Sequence, residues 1–145
     1  MFKHILVPVD GSPTAQLALT KAIELARAFD SRITAIFVID PYPFTGIGAD
    51  FAYGQTEYLT AAHAEAQAAL KQTSDALAQS GVPFDTSVVE SHTPWRGVVQ
   101  TAEALPADLI VMGSHGRSGL EKLVLGSVTQ AVLAHSRRSV LVIRD

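Results

Sequence analysis

The chain has 145 residues, with 11 Lys and Arg against 14 Asp and Glu, so its formal net charge is −3. That length suits one domain able to bury a core without staples. Its 48% apolar and 17% charged residues exclude global disorder, and its mild acidity argues against a nucleic-acid binder. No cysteine is present, which removes disulfides, thiolate metal sites, thiol catalysis and iron–sulfur clusters together. The only early apolar run, Ile5 to Val9, ends at Asp10 and is too short for a signal-peptide core. No stretch approaches the roughly 20 apolar residues of a membrane helix. The expectation is a cytoplasmic protein without membrane insertion.

Ile5-Leu6-Val7-Pro8-Val9 is apolar without alternation and predicts a strand buried on both faces. Pro8 lacks an amide donor and belongs near its end. Ser12 then suits a helix N-cap and Pro13 the first helical position. Ala15, Ala18, Leu19, Ala22, Ile23 and Ala26 follow at helical spacing. Ile33 to Ile39 predicts a second buried strand. From Pro41 to about Glu57 the chain is rich in Pro, Gly and aromatics (Tyr42, Phe44, Phe51, Tyr53), and predicts a long loop or lid. A helix follows from Tyr58 to Gln79, with Leu59, Ala62, Ala66, Ala69, Leu70 and Leu77 as its stripe and Gly81 as its stop.

Phe84 to Val89 predicts a third strand, and Thr93-Pro94 repeats the cap-plus-proline device before a helix to about Leu105. Leu109 to Met112 is a fourth strand, Ser127 to His135 a last helix, and Val140 to Ile143 a fifth strand. Strict alternation of strands and helices implies an open parallel sheet with helices on both faces, within a single α/β domain spanning 1–145. Ligands of such sheets sit at the C-terminal strand ends, where the strand order reverses. Asp10 after strand one and Gly113 after strand four are the suggestive residues there.

Gly113-Ser114-His115-Gly116-Arg117-Ser118-Gly119 and the later Gly126-Ser127 form the strongest chemical feature. A strand empties into a glycine-rich loop, and a second glycine precedes a helix. Glycine permits positive φ and close backbone approach, as a phosphate cradle requires. Ser127 is expected to cap the last helix, whose first amides attract anions. Ser118 to Glu121 matches a capping box, implying a short helix in the loop. Neither a Walker A sequence nor a complete dinucleotide fingerprint occurs, and Gly46-Ile47-Gly48 lacks both a third glycine and a preceding strand. A tight turn after a strand explains Gly113 and Gly116 alone; the second glycine at a helix start tips the reading to phosphate.

The pattern Gly113-x2-Gly116-x9-Gly126-Ser127 resembles the glycine motif of the nucleotide-binding branch of the universal stress protein family. Ile5-Leu6-Val7-Pro8-Val9-Asp10-Gly11-Ser12 is similar to that family's first strand. Ala107-Asp108-Leu109-Ile110-Val111-Met112-Gly113-Ser114 is similar to its fourth, and Val140-Leu141-Val142-Ile143 to its last. The resemblance runs end to end. It implies a Rossmann-like sheet of five parallel strands in the order 3-2-1-4-5, and ATP as ligand. Pro8, Val9, Val38 and Met112 would lie beside adenine, and Asp10 would accept from the ribose. Gly113, Gly116, Gly126, Ser127, Val128 and Thr129 would surround the phosphates, where Mg or Mn can bridge them. It also implies a homodimer joined through Val140 to Ile143, an apolar edge that Arg137, Arg138, Arg144 and Asp145 could instead guard as charges. Two departures, His92-Thr93-Pro94-Trp95 before the third helix and Arg138-Ser139 before the last strand, bear on loop shape and subunit contacts.

Among alternatives, Asp10 can cap its own Gly11-Ser12 turn, which is compatible with holding a ribose. His115 could donate to a phosphate, but a solvent-facing loop position is the stronger expectation; Arg117 suits phosphate better. The five histidines show no metal-ligand spacing, Ser127 has no partner that would make it a nucleophile, and Trp95 is expected to be partly buried. No general base is identifiable. The resulting expectation is an ATP-dependent regulatory module in a stress response that associates with a protein partner. A slow ATPase or phosphotransfer enzyme and a nucleotide-free interaction protein are the alternatives.

Overall fold

A computed structural model describes residues 1–41, 49–116 and 125–145, with side chains of the second stretch from residue 54. Its elements alternate: β1 (His4–Pro8), α1 (Pro13–Phe29), β2 (Arg32–Ile39), α2 (Ala49–Ser80), β3 (Phe84–Glu90), α3 (Pro94–Ala104), β4 (Leu109–Gly113), α4 (Ser127–His135) and β5 (Ser139–Ile143). The strands form one sheet in the order β3-β2-β1-β4-β5, and every adjacent pair is parallel. This is the expected order.

Successive strand residues point to opposite faces, and both faces are covered. Ile5, Val7, Ile33, Ala35, Phe37, Leu109 and Val111 pack with α1 residues Ala15, Ala18, Leu19 and Ala22 and with α2 residues Leu70 and Leu77. On the other face Leu6, Ile36, Ile110 and Met112 meet Val98, Val99 and Ala102 of α3 and Val132 of α4. Each fully buried Leu, Ile or Val contributes roughly 1.5–3 kcal/mol of transfer free energy. The two-sided burial read from unbroken apolar runs holds for β1 and β4. The edge strands β3 and β5 are largely open to solvent.

One boundary differs greatly from expectation. The loop predicted to run to Glu57 ends by Ala49, where α2 already begins. Gly54 and the aromatics Phe51 and Tyr53 belong to a helix, although glycine and aromatics are weak helix formers; length and packing further along α2 override local preference. Tyr42, Phe44, Gly46 and Gly48 lie outside the described residues, as do Arg117 and the capping box from Ser118 to Glu121. Among the described residues no helix is long and apolar enough to cross a membrane.

The chain builds β1, β2 and β3 outward in one direction, then returns to place β4 on the other side of β1. Order therefore reverses between β1 and β4. A crevice opens at their C-terminal ends, because the flanking crossovers depart in opposite directions.

Candidate functional site

At the first wall of this crevice, β1 ends on Pro8, and the Val9 N–H donates to the Ile36 carbonyl at 2.8 Å. The chain then turns sharply. Gly11 has φ +83°, and the Ser12 N–H donates to Asp10 Oδ1 at 2.9 Å. Ser12 Oγ accepts from the Ala15 N–H at 3.2 Å and caps α1, with Pro13 first in the helix. Asp10 thus holds its turn with one carboxylate oxygen. The other oxygen faces Gly116, where a Cβ would stand 2.7 Å from Oδ2.

The second wall is the glycine-rich segment. Gly113 closes β4; the Ser114 N–H donates to the Ile143 carbonyl at 2.8 Å, and the Gly126 N–H to the Ser114 carbonyl at 2.7 Å. Positions 114 and 126, twelve residues apart in sequence, are therefore neighbours. Gly113, Gly116 and Gly126 all avoid positive φ; among the described glycines only Gly11 and Gly81 adopt it. Space is what they supply. A Cβ on Gly113 would lie 2.7 Å from Thr14 Cγ2, and one on Gly126 would lie 3.2 Å from His115 Cα.

Helix α4 departs from expectation at its first turn. Gly126, not Ser127, is the N-cap, and no side chain caps the helix. Ser127 is its first residue and exposed. The Thr129 hydroxyl donates to the Gly113 carbonyl at 2.9 Å and ties α4 to β4. Its hydroxyl proton is thereby committed within the protein. The repeated cap-plus-proline device at α3 is likewise only half realised. Pro94 opens the helix, but Thr93 makes no side-chain cap bond; Ser91 Oγ accepts from the Thr93 N–H at 3.3 Å instead.

These walls enclose a cavity of about 690 Å³, within the size range of small-molecule sites. Pro8, Val9, Val38 and Met112 give it an apolar flank, and Asp10 stands at the β1 end. Gly113, Gly116, Gly126, Ser127, Val128 and Thr129 line the side toward α4. All eleven singled-out positions thus share one cavity. Sequence reasoning missed Ala15, Pro94 and Val98, which line the same cavity, and set aside His115, which lines it too. Pro94 and Val98 are four apart on α3, a helical spacing that could have flagged them. His115 does not face open solvent as expected: its side chain is only 12% exposed. Its ring lies 3.3 Å from both Thr14 Oγ1 and Asp145 Oδ1. Trp95 is half-buried, as expected, and stacks on His135 with centroids 4.1 Å apart.

With the geometry in place, known proteins give a consistent answer. Residues 1–144 match the universal stress protein family. The chain belongs to that family. A universal stress protein of Methanocaldococcus jannaschii is 37% identical over 144 residues, covering 99% of this chain and 83% of that protein. The solved structure of universal stress protein UspA from Lactobacillus plantarum superposes with a TM-score of 0.87 at 31% identity, covering 98% of this chain and 97% of that one. More distant family structures share the fold. One is a complex with cAMP, at 23% identity and TM-score 0.73, covering 99% of this chain and 97% of that one. Another, from Archaeoglobus fulgidus, is a complex with dAMP, at 22% identity and TM-score 0.72, covering 98% of each chain.

Among the described residues no group of three or more His, Cys, Asp or Glu could hold a metal ion, and Asp10 is the only carboxylate among the described cavity-lining residues. These residues therefore offer Mg or Mn no cage. An ion between phosphates would take its oxygens from them and from water.

Proposed function

We propose that this universal stress protein binds an adenine nucleotide, ATP, in the crevice between β1 and β4 and acts as a nucleotide-dependent regulatory module in the stress response. The observation that carries this reading is the shared cavity: an apolar slot, a carboxylate and an α4 N-terminus without a side-chain cap follow one another along its wall. Adenine packs against Pro8, Val9, Val38 and Met112. Asp10 accepts from the ribose hydroxyls with Oδ2, the oxygen its turn leaves available. The phosphates lie against Gly113, Gly116 and Gly126 and the first turn of α4, where peptide N–H groups and the helix dipole favour an anion. Thr129 contributes there by its backbone and its position, since its hydroxyl donates elsewhere. Complexes of family members with cAMP and dAMP lend support to an adenine nucleotide as ligand. Two copies pair through β5, an edge strand with Leu141 38% exposed.

The nucleotide released by heat from freshly purified protein tests the reading, with Gly116→Val and Gly126→Val as controls. The expected result is adenine nucleotide near one per chain in the wild type, and loss of retention in both variants with an unchanged far-UV spectrum. Wild-type retention by both variants would place the site elsewhere. For the pairing, Leu141→Glu should sediment as a monomer where the wild type sediments as a dimer; a monomeric wild type at micromolar concentration overturns it.

A further inference from the structure

Besides Asp10, His115 is the other ionisable side chain among the described cavity-lining residues, and the glycine motif gives it no role. Its surroundings do. Nε2 lies 3.3 Å from Asp145 Oδ1 and 3.3 Å from Thr14 Oγ1, and Nδ1 lies 3.3 Å from the Gly116 carbonyl oxygen. A carboxylate and a carbonyl only accept hydrogen bonds; a hydroxyl does either. A ring with one proton therefore turns a lone pair toward an acceptor at one of its nitrogens, whereas an imidazolium donates at both. Among the described residues no Lys or Arg lines the cavity, so a protonated His115 is the one full positive charge that part of the wall can present.

Charged and polar groups surround His115 from several elements. Asp145 comes from the chain after β5, and the Asp10 carboxylate from the end of β1 stands beside Gly116. Thr14 of α1 is neutral, and the N-terminus of α4 lines the same cavity. The three contacts of 3.3 Å sit at the long end of hydrogen-bond geometry. Each is readily exchanged for a shorter, charge-assisted bond to a phosphate oxygen. We propose that His115 is a phosphate-recognition residue that engages the nucleotide as the imidazolium, so that binding takes up a proton at this ring. The inference rests on the nucleotide reading above and adds a residue and a proton to it.

Titration calorimetry with ATP tests it, run at about pH 6 and about pH 8, the interval in which histidine changes charge, in buffers of different ionisation enthalpy. His115→Gln subtracts the proton that ATP itself carries. Wild type should take up more protons than the variant, toward one per site, and its Kd should rise with pH by up to about tenfold per unit more than the variant's. If His115→Gln fails to fold, imidazole 15N shifts of the wild type decide: both nitrogens of His115 should become protonated when ATP is added near pH 7. Equal proton uptake and equal Kd in wild type and His115→Gln, or a ring that stays singly protonated with ATP bound, overturns the inference and leaves the nucleotide reading standing. No ATP binding by the wild type at either pH overturns both.

Discussion

Gly113 illustrates how a single hydrogen atom sets the width of the crevice. A methyl group there meets Thr14 Cγ2 at 2.7 Å and the Thr14 backbone carbonyl carbon at 3.2 Å, and a helix backbone yields less than a side-chain tip. Gly113→Ala should destabilise the protein by about 1–3 kcal/mol, the usual cost of overpacking, read as a lower urea midpoint. An unchanged midpoint would mean that α1 shifts freely against β4. The spacing of Gly113, Gly116 and Gly126 was legible in the sequence because spacing is a property of the string. The reason for it was only half legible: freedom of φ and freedom of space look alike until the neighbour is known. His115 was misread for the same reason, since its partners are 101 residues before it and 30 after it.

At the scale of elements, two helices begin with a hydroxyl residue followed by proline, yet only one uses the hydroxyl. Ser12 Oγ accepts from the Ala15 N–H; Thr93 makes no such bond. Ser12→Ala should therefore cost about 1 kcal/mol, as N-cap deletions do, and Thr93→Ala should cost a few tenths at most. Equal losses in thermal unfolding would refute the distinction. The strands were the most legible elements, because runs such as Leu109 to Met112 are apolar on both faces and short. The start of α2 was the least legible. Its first turns carry Phe51, Tyr53 and Gly54, local signals of a loop, and the burial that stabilises the helix lies further along at Ala66, Leu70 and Leu77. Ser127 was taken for a cap because sequence shows a Gly-Ser pair but not which member leaves helical dihedrals.

Across the whole molecule, the sheet has a crevice at one end and an opposite end fastened by polar groups. There Asp108 accepts from the Lys3 N–H at 2.9 Å and the His4 N–H at 3.1 Å, and His4 Nε2 lies 2.7 Å from Thr34 Oγ1. Burial, then the Arg32 charge, holds the His4 imidazole below the ordinary 6.5. Burial alone would raise Asp108, but the N–H groups of Lys3, His4 and Asp108 itself, with the His4 charge, outweigh it and hold it below 3.8. An unfolded chain protonates each group at the higher value, so both contributions favour the fold at higher pH. That of His4 is complete above 6.5 and lost as pH falls below it; that of Asp108 is lost only below 3.8. The urea midpoint should drop between about pH 7.5 and about pH 5.5 by more in wild type than in His4→Gln; equal drops would remove His4 as a cause. The strand order was inferable from alternation together with the family's motifs, whereas this clamp, with its partners 30 and 104 residues apart, was not. The long helix α2 has a mechanical consequence of its own. His63 meets Glu90, the last residue of β3, at 3.1 Å, and nearer the start of α2 the Gln55 side-chain amide donates to the Pro41 carbonyl, just past the end of β2, at 3.1 Å. The α2 residues 49–62 span roughly 21 Å. A tilt of α2 about the His63 contact would therefore strain the Gln55 bond to the Pro41 carbonyl.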